Sequence, residues 1–412
     1  MLQLRVLKEI IFAPIICTVN LKDVKNLMIM RGFLPLLYIL GYSWCYQVER
    51  ITEPLLLGEG PHWNALTQLL YFVDITSCTI NVYDPATGVH NSTHIVPSIP
   101  ARRLMISINF WPYFCTSLLL TDGGAVTFIV PIAGTTDEFL VSTGLDIRHV
   151  IWDGQQDSIP QSAIIYSALQ DSDGCRFNDG KVDRTGRLKQ LKYFTGTMGP
   201  EPIPNVITER SGKLYQVSQH SSISIELENI LISNGLAWSA DGSIMYYTDT
   251  GDSTIDSFDF DATADHPLSN RQRIFNFTEN GVTGNTDGFA IDTDGNLWLA
   301  SYGSYQVIAV NPKTRTLLLT IPINASQVTS VAWGGSELNE LYVTTARKGI
   351  TEEELKNYPD SGATYRITGL GARGYAGDNY IMYKASSYSN SCYLSKFLIS
   401  VYMIIIFKLG YS

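Results

Sequence analysis

Charge is scarce in this sequence. Only 17% of the 412 residues are charged, Lys and Arg numbering 29 against 39 Asp and Glu, for a net charge of −10. The chain lacks the basic stripe that a phosphate backbone demands, which excludes nucleic acid as an expected partner. Cysteine is sparse too: Cys17, Cys45, Cys78, Cys115, Cys175 and Cys392 show neither a CxxC nor a zinc-like spacing, so no redox pair or structural zinc is indicated. The six histidines do not cluster, and GxSxG, HExxH and P-loop signatures are missing. Gly369 to Gly374 matches GxGxxG but is followed by no helix or βαβ unit, and Asp292-Thr293-Asp294-Gly295 has Gly303 where a calcium loop needs its twelfth-position carboxylate. Long apolar runs are absent. The run from Phe397 to Phe407 is eleven residues, against roughly 20 for a spanning helix, so no stable membrane span is expected.

What is present is glycine, aromatics and short β-branched runs broken by Asp-Gly and Asn-Gly, with 33 Gly, 23 Tyr and 16 Phe. That composition favours strands and tight turns, hence an all-β fold. Near the N-terminus Arg31 precedes the apolar run Phe33 to Tyr42, which has the length of a signal peptide. Sequons at Asn91, Asn276 and Asn324 are compatible with secretion; a cytoplasmic protein with an irregular leader is the alternative. Residues 1–47 are expected to be a leader, 48–384 the folded domain, and 385–412 an appended tail.

A repeat runs through the middle. Asn234-Gly235-Leu236-Ala237-Trp238 continues through Asp241-Gly242 to Asp249, and Asp287-Gly288-Phe289-Ala290 continues through Asp294-Gly295 to Ala300. Each reads as strand, hairpin, strand. Weaker copies begin at Glu59, Asn178 and Val328, and strand-like runs such as Thr254 to Phe260 and Gln306 to Val310 follow most copies. About 40 to 55 residues per four strands is the period of propeller blades, which divides the chain into six or seven. The stretches 101–117 and 189–192 fit neither repeat nor strand alternation and read as insertions.

In a propeller, equivalent positions of the inner strands converge on one channel. The residues there are Glu59, Asn178, Asn234 and Asp287, all oxygen donors followed by Gly or Asp-Gly. Such dipeptides commonly make turns, but two carboxylates and two amides at equivalent positions suit a hard divalent cation such as Ca²⁺, Mg²⁺ or Mn²⁺.

The strings Gly58-Glu59-Gly60-Pro61-His62-Trp63, Arg176-Phe177-Asn178-Asp179-Gly180-Lys181, Gly196-Thr197-Met198, Ile232-Ser233-Asn234-Gly235-Leu236, Asp287-Gly288 and Ile367-Thr368-Gly369-Leu370 resemble the regucalcin, gluconolactonase and luciferin-regenerating enzyme family. The resemblance runs from about Ile51 to Tyr383. It implies a six-bladed β-propeller and one divalent cation (Ca²⁺, Zn²⁺, Mn²⁺ or Mg²⁺) held by Glu59, Asn234 and Asp287. It also implies a substrate site formed by Arg176, Asn178 and Glu201. The reaction implied is opening of a small-molecule lactone by a monomer, with Asp287 as the candidate base. A calcium-binding or small-ligand protein with little catalysis, and a luciferin-regenerating type of enzyme, are the alternatives.

Overall fold

The computed structural model describes residues 16–17, 45–95, 124–158, 160–168, 174–184, 193–203, 206–207, 209–217 and 223–382. The signal-like run, both insertions and the tail from 385 lie outside the described residues.

The described chain is an all-β propeller-like fold. Among the described residues the helical elements are one α-helix, Glu352–Asn357, and a 3₁₀ turn, Thr250–Asp252. Four sheets have four antiparallel strands each. The first is Gly58–Asn64, Leu69–Asp74, Thr79–Asp84 and Val89–His94, and the second Ile129–Pro131, Glu138–Thr143, Asp146–Ile151 and Gln161–Ser167. Arg176–Val182, Tyr193–Met198, Gly212–Val217 and Ile223–Ile230 form the third; Ser233–Trp238, Ile244–Asp249, Thr254–Phe260 and Leu268–Asn276 form the fourth. The remaining strands make one nine-stranded sheet, where separate four-stranded blades were expected. Within it, Asn285–Ile291, Leu297–Tyr302, Gln306–Asn311 and Thr316–Pro322 form one antiparallel run. Gln327–Gly334, Glu340–Ala346, Tyr365–Thr368 and Cys45–Arg50 form another, extended by Ile16–Cys17. A single residue pair, Tyr302 with Gln327, joins the two runs.

The hairpins follow from turn chemistry. Between Trp238 and Ile244 the Asp241 carboxylate accepts from the Ser243 amide and from both flanking serine hydroxyls. Between Ile291 and Leu297 the Asp292 carboxylate accepts from the amides of Asp294 and Asn296 and from the Trp298 indole. Side-chain oxygens thus satisfy amides that the turn leaves unpaired.

Neighbouring strand groups pack through aromatic pairs: Tyr71 on Phe139, Phe128 on Tyr193, Phe194 on Trp238, Trp298 on Trp333 and Trp63 on Tyr342, at centroid separations of 4.9–5.6 Å. The last pair brings the final strands against the first sheet. Two hydrogen bonds close the ring there, from Thr329 Oγ1 to the Gly58 carbonyl at 2.6 Å and from the Arg347 amide to the Leu56 carbonyl at 3.0 Å.

The segment Arg373–Tyr380 is a strap across the far ends of the inner strands. Its backbone bonds to Thr293, Leu338 and Pro131, Arg184 stacks over the Tyr375 ring at 3.3 Å, and Asn379 lies 3.2 Å from His62 Nε2. A cavity of about 60 Å³ lies between the strap and Trp63, Trp238 and Trp333. Burial, opposed by the Asn379 bond and reinforced by nearby Lys181, pushes the His62 imidazole down to about 4.

Two outcomes follow from this packing. Tyr46 is buried and Gln47 pairs with Thr368, so a chain starting at Cys45 should melt cooperatively. A chain starting at Ile51 loses a whole strand and should melt lower by roughly 5 °C or more; equal midpoints by calorimetry would refute the boundary. His62 has a folded pKa below its unfolded value of about 6.5. Its contribution is therefore complete above pH 6.5 and is lost as pH falls toward 4, on the order of 2–4 kcal/mol. Denaturant titrations at pH 7 and pH 4.5 should show wild type losing more stability than His62→Gln; parallel losses would mean that His62 takes no part.

Candidate active site

Five inner strands carry the same irregularity at the same place. Pairing with the next strand shifts register between Glu59 and His62, Phe177 and Gly180, Asn234 and Leu236, Thr286 and Phe289, and Val328 and Ser330. A bulge breaks the two-residue alternation and re-aims the side chain beside it. The glycines after the donors are therefore strand residues and not turn residues. A Cβ on Gly235 would lie 2.1 Å from the Phe289 ring, and one on Gly288 would lie 2.0 Å from Ser330 Oγ. Each neighbouring inner strand fills the space a side chain would need.

Two of the donors on these bulges meet. Asn178 Nδ2 donates to Asn234 Oδ1 at 3.1 Å and to the Ser233 carbonyl at 3.0 Å, linking the third and fourth sheets. Asn234 Nδ2 donates to Thr250 Oγ1 at 2.8 Å, and the Thr250 hydroxyl donates onward to the Thr286 carbonyl at 2.8 Å. With its hydrogen committed to Thr286, Thr250 acts on Asn234 as an acceptor, which fixes the amide with its oxygen turned toward Asn178. Arg176 and Asn178, two apart on one strand, are also brought together: Arg176 Nη1 donates to Asn178 Oδ1 and to the Phe177 carbonyl, both at 2.9 Å. Glu201, in the loop after Met198, receives Lys348 Nζ at 2.6 Å.

Carboxylates dominate the electrostatics. Burial pushes Glu59 up to about 8, with Asp179 adding repulsion while the Gly60 amide and Arg176 oppose it. Asp287 lies well above the ordinary carboxylate range through burial, then the charges of Glu59 and Asp179. Burial likewise raises Asp179, against the attraction of Lys181. Among the described residues Asp287 Oδ1 is buried with no hydrogen-bond partner. Such an oxygen is costly unless something cationic or protic faces it.

This arrangement tests the expected cation. Two mutually repelling carboxylates, one with an oxygen that no described residue partners, and an amide oxygen turned toward Asn178 form a hard-oxygen set that a divalent ion would satisfy. Among the described residues no three His, Cys, Asp or Glu side chains are grouped as metal ligands, so a cation here needs the Asn234 amide. Glu59, Asn234 and Asp287 fit that role. Asp179, not among the expected site residues because Asp-Gly after Asn178 reads as a turn, lies on a bulge and repels Glu59.

Comparison with known proteins identifies the family. The family model described as SMP-30/Gluconolactonase/LRE-like region matches residues 57–347. The chain belongs to the SMP-30/gluconolactonase/LRE-like family. Regucalcin of Sus scrofa is 38% identical over 318 residues, covering 77% of this chain and 92% of the relative; regucalcin of Homo sapiens is 37% identical over 325 residues, covering 78% and 94%. A solved luciferin-regenerating enzyme superposes with a TM-score of 0.68 at 33% identity over 82% of this chain and 100% of its own. The regucalcin of Agrobacterium tumefaciens, at 20% identity and a TM-score of 0.64, covers 82% of this chain and 98% of its own and supports the fold alone. All six expected site residues of this family member fall inside the matched region, whereas Lys348 lies one residue beyond it.

Weakening any one of these three residues should reduce cation binding if they hold the ion. Glu59→Gln removes the charge and one oxygen, Asn234→Ala the amide oxygen and Asp287→Ala both carboxylate oxygens, and calorimetric titration with Ca²⁺, Mn²⁺ and Zn²⁺ should show at least a tenfold loss for each. Undiminished affinity in all three variants would eliminate this site.

Proposed function

We propose that this chain is a divalent-cation-dependent hydrolase that opens small lactones. The observation that carries the reading is the buried Asp287 Oδ1, which has no hydrogen-bond partner among the described residues, close enough to Glu59 for the two carboxylates to repel. Gluconolactonase is among the names in the matched family description, and a protein titled a gluconolactonase from Xanthomonas campestris shares the fold at a TM-score of 0.53 and 15% identity. We also read the nine-stranded sheet as two blades touching at the single Tyr302–Gln327 pair, which brings the propeller to six. Secretion of the chain, suggested by its leader, belongs to the same proposal.

A cation held by Glu59, Asn234 and Asp287 would supply Lewis-acid polarisation of the lactone carbonyl. The residues do the rest. Arg176, held by Asn178 Oδ1 and the Phe177 carbonyl, donates its remaining guanidinium hydrogens to ring hydroxyls, while Asn178, with both amide hydrogens on Ser233 and Asn234, orients Arg176. Water adds to the carbonyl carbon, a carboxylate takes its proton, the ring C–O bond breaks, and the ring oxygen receives a proton to leave a hydroxy acid. Asp287 was the expected base, but a carboxylate bound to a cation is a weak one. Asp179, outside the ligand set and raised by burial, is the better-matched acceptor.

The second reading is a calcium-binding protein with little catalysis; the Agrobacterium regucalcin is named a calcium-binding protein. The Arg176–Asn178 pair beside the carboxylates favours chemistry, since holding an ion does not require it. A luciferin-regenerating type of reaction would use the same site on another substrate.

Kinetics separate these readings. Wild type should hydrolyse at least one γ- or δ-lactone and lose that activity to chelator. Arg176→Ala should keep its cation affinity and lose about 10²-fold in kcat/KM. Asp179→Asn should keep the cation and lose 10²- to 10⁴-fold in kcat. A chelator-insensitive wild type, or unchanged kinetics in folded Arg176→Ala, would defeat the corresponding assignment.

A further inference from the structure

One position of the inner strands differs sharply between sheets. Second after the bulge, the fourth sheet has Ala237 and the strand Asn285–Ile291 has Ala290, but the third sheet has Lys181. All three residues line the cavity beneath the strap. Methyl groups at the two neighbouring positions leave space for a four-carbon stem, and Lys181 uses it: Nζ donates to the Phe289 carbonyl at 3.0 Å, 108 residues away in sequence. The inner strand of the fourth sheet packs between the two strands so joined, so the side chain reaches across the channel. Burial lowers the proton affinity of the Lys181 amine, and the charges of Asp179, beside the donors, and Asp378, in the strap, oppose that shift. The ammonium therefore lies between the site and the strap.

The bond acts on the site through Phe289. This residue is buried, follows Asp287 by two on the same strand, and places its ring against Gly235, the neighbour of Asn234. Its strand pairs with Leu297–Tyr302 alone, so the channel edge of that strand lacks ladder partners, and Lys181 satisfies a carbonyl there. One hydrogen bond from the strand of Asn178 and Asp179 thus fixes a residue that belongs to the Asp287 strand and packs on the Asn234 strand.

We propose that Lys181 is a positioning residue that fixes the spacing of the donor strands from beneath the site. It ties the strand of Asp179, the acceptor of the water proton, to the strand of Asp287, and through the Phe289 ring it steadies Asn234. A small misplacement of reacting groups is costly in turnover, so the bond matters to the chemistry although Lys181 belongs to neither the ligand set nor the substrate shell. This inference rests on the lactonase reading.

The experiment uses the full chain as wild type, Lys181→Met and Lys181→Arg. Methionine keeps much of the stem and removes the donor; arginine restores a donor, and the adjoining cavity of about 60 Å³ has room for its extra atoms. The first arm needs neither cation nor turnover: hydrogen exchange read by mass spectrometry on peptides spanning 285–291, with 58–64 as the internal control. Exchange in 285–291 should be several-fold faster in Lys181→Met, return toward wild type in Lys181→Arg, and stay unchanged in 58–64. Equal protection of 285–291 in wild type and Lys181→Met overturns the tether. The second arm is kinetic, on the γ- or δ-lactone that wild type hydrolyses. In Lys181→Met kcat should fall at least tenfold with KM within threefold, and Lys181→Arg should recover most of kcat. Loosened exchange with unchanged kcat, or a loss confined to KM, overturns the positioning role. Should Lys181→Met fail to melt cooperatively, Lys181→Arg against Lys181→Gln, whose amide is too short to reach Phe289, decides by the same two readouts. A wild type that hydrolyses no lactone defeats the lactonase reading and the catalytic role built on it, while the exchange arm still decides whether Lys181 holds the strand.

Discussion

The close approach of the bulged inner strands is the constraint on which the rest of the structure depends. At two of the bulges the glycine after the donor faces a neighbour that leaves no room for a Cβ, as Phe289 does for Gly235 and Ser330 for Gly288. Packing and site formation are therefore one event. The same contacts that close the ring bring Asn178 within hydrogen-bond distance of Asn234 and leave Asp287 Oδ1 buried without a partner among the described residues. A less tightly closed ring would solvate these carboxylates.

The energetic tension is local. Glu59, Asp179 and Asp287 repel one another in a poorly solvated space, with Arg176 and Lys181 as the nearby compensating charges. Buried charge without compensation is destabilising, so aromatic packing between sheets and the strap at the far end must offset it. The two ends of the channel thus divide the work. One end concentrates unsatisfied oxygen, while the other closes over tryptophans and a neutral histidine.

Much of this was legible in the chain. The Asp241-Gly242 and Asp294-Gly295 hairpins stand where the repeat placed them, and Thr254–Phe260 is a strand with the expected bounds. Arg176 and Asn178 share a face, as two-residue spacing implies. Other features were not legible. Asp179 reads as an ordinary turn residue beside Gly180, because a bulge is defined by pairing with another strand and leaves no separate mark in sequence. The strand Cys45–Arg50 straddles the expected start of the domain at residue 48, since its place is set by Tyr365–Thr368, more than 300 residues later. Glu201 and Lys348 likewise belong to no common motif.

The amino-acid sequence by itself determined the strand period, the hairpin turns and the set of oxygen donors, because these depend on local conformational preference and on residue chemistry within a single repeat. Only the tertiary structure decided which donors share a space, which way the Asn234 amide faces, and that Lys348 reaches Glu201. Those outcomes depend on ring closure, which sets distances between residues that the chain keeps far apart.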